Sequence, residues 1–289
     1  MRMEGREESE NVEDRRGVRI PGGRGGVGCV GLLVVLVISM LTGADPRKLL
    51  GLIGLVQQMA PPAVEQQVPA GRGQSRPDDP QAHFVAKVLK GTEDAWGQVF
   101  ARSGRTYEKP TLVLFDGRVD SACGLTTAAV GPFYCPADRK VYLDLAFFRE
   151  LAQRFGAPGD FAQAYVVAHE VGHHVQNLLG LSDQVTAMQQ RARSEEQANA
   201  LSVRLELQAD CFAGVYGRFD QKYLEEGDVE EGLRAAAAIG DDTIQKKAQG
   251  TTAPESWTHG SSAMRVRWLK QGLQTGDPAS CDTFKAPEL

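Results

Sequence analysis

Three things are scarce in this chain, and each scarcity narrows what it can be. Basic residues are not in excess: 32 Lys and Arg stand against 37 Asp and Glu, a formal charge of −5, so no general affinity for nucleic acid or an anionic surface is expected. Cysteines number five, and none has the close spacing of a thiolate metal site. Only residues 25–44 form an uncharged run long enough to cross a bilayer, and one span offers no lipid-embedded active site. What remains, 42% hydrophobic and 24% charged, is the composition of a globular chain able to bury a core.

The uncharged run divides the chain. It reads as a transmembrane anchor, and Arg15, Arg16, Arg19 and Arg24 before it mark residues 1–24 as a cytoplasmic basic arm under the positive-inside rule. The bulk of the chain is then sent across the membrane. A cleaved signal peptide is the competing reading, but no small-x-small site follows the run and the charged arm is long for a signal. Residues 49–59 are apolar but too short to span again, which suits an interfacial helix. Residues 45–80 form a juxtamembrane segment and linker, rich in Pro, Gln and Gly from 61 onward, so the folded domain is expected over residues 81–289. Four cysteines fall in the part placed outside the cytoplasm, where disulfides persist. Cys123–Cys135 and Cys211–Cys281 are the preferred pairs among three possible pairings, with free buried thiols as the alternative.

Within the domain, apolar positions from Phe84 to Phe100 repeat at helical spacing, and Thr111 to Phe115 is a β-branched run closed by Asp116-Gly117. Further strands are expected at 133–134 and 141–144 about a turn at Pro136. One of them is a candidate edge for pairing with extended peptide, a purely structural sheet being the equal alternative. Residues 145–155 read as a helix, Asp160 as the cap of the next, and 182–199 as a polar helix or helical hairpin. The fold class this implies is α+β, mainly helical with a small sheet.

The helix opened by Asp160 carries His169-Glu170-Val171-Gly172-His173. At about 3.6 residues per turn, His169 and His173 lie one above the other and can share one metal ion, with Glu170 beside them as a general base. A third ligand is found at Glu206 on an apolar helix, and Asp210, one turn on, can accept the free ring N–H of a ligating histidine. Leu205, Leu207, Phe212 and Ala213 leave little room for these acids to be a solvated face. His174 points about 100° away from His173 and suits packing; His83 suits a surface role. Asp241 and Asp242 suit helix capping. His259 sits in a loop where it can donate to an oxyanion, and Arg265 follows as a group for substrate or for orienting His259.

These segments resemble the neutral zinc metallopeptidase family of bacterial membrane-anchored proteins. The likeness runs through Asn11-Val12-Glu13-Asp14-Arg15-Arg16-Gly17, Gly131-Pro132-Phe133-Tyr134-Cys135-Pro136, the His169 motif, Glu206 to Asp210, Gly240-Asp241-Asp242 and the His259 loop. Met3 and Glu7 depart from the basic pattern of the N-terminal block. The pair Glu206 and Asp210 is also similar to the Glu-x-x-x-Asp element of gluzincins related to the prenyl-protein and heat-shock membrane peptidases. That resemblance implies zinc on His169, His173 and Glu206, with His259 and Arg265 facing substrate. The expectation is a zinc-dependent endopeptidase using metal-activated water, with a polypeptide substrate, as a single-pass protein of the bacterial cell membrane with its catalytic domain periplasmic or extracellular. A catalytically silent, zinc-stabilised binding or quality-control protein at the membrane surface is the alternative.

Overall fold

Helix α1 (Pro80–Arg102) begins where Asp79 accepts hydrogen bonds from the N–H groups of Gln81 and Ala82 and Pro80 supplies a preset first turn. It is the first long element in a computed structural model that describes residues 1–17 and 78–289. Its inner face carries Val85, Val88, Leu89, Trp96 and Phe100, all buried. Ahead of it lies strand β1 (Val12–Asp14); after it come β2 (Thr111–Leu114), the hairpin β3 (Arg118–Ser121) and β4 (Gly124–Thr127), then β5 (Phe133–Cys135) and β6 (Lys140–Leu143). The remainder is helical: α2 (Ala146–Gln153), α3 (Asp160–Leu178), α4 (Leu181–Gln189), α5 (Glu195–Phe219), α6 (Asp228–Ala238), α7 (Asp241–Gln249) and α8 (Ser262–Thr275).

The main sheet has the order β1-β2-β6-β5, parallel except for β5, which runs antiparallel to β6 and forms an edge. Leu112, Leu114, Val141 and Leu143 point from it into the core. Val113, Phe115, Cys135 and Tyr142 form a smaller cluster, as the two-residue alternation of a strand requires. The β3–β4 hairpin falls where no strand was expected. The Cys123–Cys135 disulfide ties its turn to the end of β5, and Cys211–Cys281 ties the C-terminal segment to α5. The preferred pairing of the cysteines is the one present. Residues 182–199 hold α4 and only the first turn of α5, which runs on unbroken to Phe219 and carries Glu206 and Asp210.

Two close approaches set the helix layer. A Cβ on Gly172 of α3 would stand 3.0 Å from the Ala209 carbonyl oxygen on α5 and 3.1 Å from its Cα. A Cβ on Gly272 of α8 would collide with the Cys211 carbonyl at 2.0 Å. Backbone therefore meets backbone along α5, which brings the histidine-bearing helix and the acid-bearing helix into close contact.

The N-terminal expectation is corrected. Residues 1–17 are not a separate arm: they belong to the same compact unit as the domain, so the folded part begins at residue 1 and not at 81. β1 pairs residue for residue with β2, Val12 to Leu112 and Asp14 to Leu114. Ser9 and Asn11 donate to Glu93 of α1 at 2.5 and 2.8 Å, and Arg6 reaches Asp220 at 2.7 Å. Of the charges that read as topogenic, Arg15 and Arg16 are ion-paired in the fold; Arg19 and Arg24 lie outside the described residues. The anchor expected at 25–44, and 45–77 of the expected linker, lie outside the described residues. Among the described residues no helix is long and apolar enough to cross a membrane.

Candidate metal centre

α3 is almost wholly buried, which leaves its histidines to find partners inside the protein. His169 Nε2 and His173 Nε2 come within 3.2 Å of each other. Glu206 of α5 brings Oε2 to 3.1 Å from the first and Oε1 to 3.4 Å from the second. One donor atom from each of the three falls within 4.8 Å of the others. Both Nδ1 atoms are otherwise engaged, His169 donating to Asp210 at 2.8 Å and His173 to Gln176 Oε1 at 2.9 Å. With Nδ1 so engaged, Nε2 is the atom that each ring turns toward Glu206 and can offer to a metal once its proton is displaced. Two imidazoles and one carboxylate, converging with a side left open, suit tetrahedral zinc with room for water.

The surroundings are strongly charged. Burial would raise the Asp210 carboxyl, but the Arg265 guanidinium and His169 outweigh it and hold it down at about 2. Burial would lower His169, but Asp210 and Glu206 outweigh it and lift the imidazole to about 10. Protons and a metal ion therefore compete for the same nitrogens. Glu170 is raised, chiefly by burial, with His169 and His173 pulling the other way. A carboxylate so placed is a stronger base than one in water.

Arg265 takes a different place from the one expected. It is buried, donating from Nε to Asp210 Oδ2 and from Nη2 to Asp210 Oδ1, both at 2.9 Å, and to Tyr165 and the Ile239 carbonyl. Its fork grips the acid that orients His169, with Tyr165 donating to the same acid at 2.6 Å. Among the described residues its fork is spent on the carboxylate that orients His169, a bidentate pairing that positions the site, while it also lines the cleft. Asp241 and Asp242 also depart from expectation. The N-cap of α7 is Gly240, and Asp241 Oδ2 instead accepts from the backbone N–H groups of Thr258, His259 and Gly260 at 2.7 to 3.0 Å. Asp242 holds Ser262. These acids fasten the His259 loop.

His259 remains half-exposed on the wall of a cleft of about 710 Å³ that also exposes His169, Glu170, His173 and Glu206. Its hydrogen bond to Asp241 raises its pKa, against burial. Gly131 to Tyr134, leading into and along the edge strand β5, form another wall, and Phe147, Phe155, Val166, Val185 and Ile244 make the cleft apolar. His174 packs as expected: it donates from Nε2 to the Glu108 carbonyl at 2.7 Å and accepts at Nδ1 from Tyr134 at 3.0 Å, which fastens β5 to α3. His83 pairs with Glu8. Gln176, Tyr165 and the loop-holding role of Asp241 were missed. Gln176, three residues after His173 on the same helix face, carried the one signal that could have been read.

A family model described as "Putative neutral zinc metallopeptidase" matches residues 1–284. The chain belongs to this family. Among its relatives, the Escherichia coli K12 protein named "Uncharacterized protein YpfJ" is 47% identical over 98% of this chain and 99% of its own length. The Mycobacterium tuberculosis H37Rv protein named "Uncharacterized protein Rv2575" is 42% identical over 87% of this chain and 86% of its own. No solved structure matches. The family and the donor set agree on the cofactor: it is zinc, and His169, His173 and Glu206 are the group able to bind it.

Proposed function

We propose that the protein is an endopeptidase that hydrolyses internal bonds of extended polypeptide. The observation that carries this reading is the placement of Glu170 beside three convergent zinc ligands in a cleft walled by an open sheet edge. Zinc, when bound, supplies Lewis-acid polarisation of the attacking water and of the scissile carbonyl. Glu170 takes the proton of that water and delivers it to the leaving amine. His259, whose pKa the hydrogen bond to Asp241 raises, donates to the oxyanion. The N–H and C=O groups along β5 pair with a substrate strand whatever its sequence, and the apolar walls select its side chains. Val130 and Ile244 at the cleft are 69% and 41% exposed, which suits apolar segments presented by unfolded chains. The Arg265 guanidinium is already paired with Asp210, which favours an internal bond over a chain end as the target.

The test compares zinc-loaded protein with its Glu170→Gln variant on an unstructured protein substrate. The variant is expected to keep stoichiometric zinc and lose about 10²-fold or more in rate. Equal rates in the two would sink the mechanism. Full zinc with no turnover in either would favour the silent binding protein.

A further inference from the structure

The N-terminal strand has a topological consequence. β1 is the outer strand of the main sheet, parallel to β2, and Val12 is 3% exposed. Lys140 of β6 reaches Glu13 at 2.8 Å, and Gly17 donates to Asp116 at 2.9 Å. The Met1 α-ammonium lies 3.1 Å from Asp228, 3.3 Å from Glu225 and 3.6 Å from Asp160. Contacts to α1, the sheet, α3, α5 and α6 cannot be made across a bilayer about 30 Å thick. Residues 1–17 and 78–289 therefore occupy one compartment. Any part of 18–77 that enters a membrane must enter and leave by the same face, and an odd number of crossings is excluded. Arg16 and Asp79, on either side of that segment, form an ion pair, so the described residues that flank it meet.

The disulfides say which compartment. Cys123–Cys135 and Cys211–Cys281 form and persist outside the reducing cytoplasm. Two of the four arginines that argued for cytoplasmic retention of the arm have partners in the fold: Arg15 holds Glu13, and Arg16 holds Asp14 and Asp79. We propose that the N-terminal arm and the zinc domain lie together on the extracytoplasmic face of the membrane.

The experiment is single-site labelling of the full chain in bacterial spheroplasts. Cys29 is replaced by Ser, the four bridged cysteines are left in place, and one reporter is introduced at Glu10→Cys or Glu4→Cys in the arm, or at Lys270→Cys on the exposed side of α8. A membrane-impermeant maleimide is expected to label all three variants to a similar extent without permeabilisation. An arm reporter that reacts only after permeabilisation, whether or not Lys270→Cys reacts before it, would overturn the proposal. The two arm positions are exposed, and among the described residues their side chains make no hydrogen bond or ion pair, so agreement between them separates topology from misfolding.

Discussion

At the scale of single residues, the legible part of the site was the part whose chemistry dictates spacing. His169 and His173 must stand one turn apart to share an ion, and Glu206 and Asp210 betray themselves as acids on an apolar helix. Arg265 could not be read correctly, because a guanidinium announces that it will bind an anion without saying which; its partner, Asp210, is 55 positions away. Asp241 failed for a similar reason, since an acid at the start of a helix looks like a cap whether or not a loop 17 to 19 residues later needs its oxygen. Met1 offers a test at this scale. Burial would lower its α-ammonium, but hydrogen bonding to Asp228 and the charges of Asp228 and Asp160 raise it above its ordinary 8.0. A group with a raised folded value contributes stability that is whole below pH 8.0 and is lost as pH rises through that value. N-terminally acetylated protein is therefore expected to melt at a lower temperature than the free amine at pH 7, the gap closing in strong alkali. Identical melting curves across this range would show the three carboxylates to be idle.

Between elements, what matters is distance. Sequence periodicity located α3 and α5, but nothing in it said that Gly172 and Ala209 meet backbone to backbone. The β3–β4 hairpin was invisible because Gly124, Thr126 and Thr127 carry little apolar alternation. Its place is set by pairing and by the Cys123–Cys135 bridge. The α3–α5 contact fixes the gap that His169, His173 and Glu206 must span. Gly172→Val is expected to wedge the two helices apart, costing about 1–3 kcal/mol of stability and weakening zinc binding. Thermal melts and competition against a chelator measure the two effects separately. A destabilised variant with undiminished zinc affinity would show that the ligands do not depend on this spacing.

For the molecule as a whole, the fold class was readable and the extent of the fold was not. Met1 to Gly17 presents the same mixed charge pattern whether solvated or paired, and its partners Glu93, Lys140 and Asp220 lie 84, 127 and 214 positions away from Ser9, Glu13 and Arg6. The meeting of Arg16 with Asp79 has a practical side. Truncation to residue 78, the obvious way to obtain a soluble domain, strips the sheet of its outer strand and leaves the backbone groups of β2 as an open edge, a template for aggregation. Cutting out residues 18–77 and rejoining the chain with a short Gly/Ser bridge keeps every contact of the arm and adds little closure entropy, since the joined ends already touch. The rejoined protein is expected to be monomeric by light scattering and to bind one zinc per chain, whereas the truncated one aggregates. The surface thus carries a built-in seam at which the apolar part of this protein can be removed without disturbing its metal centre.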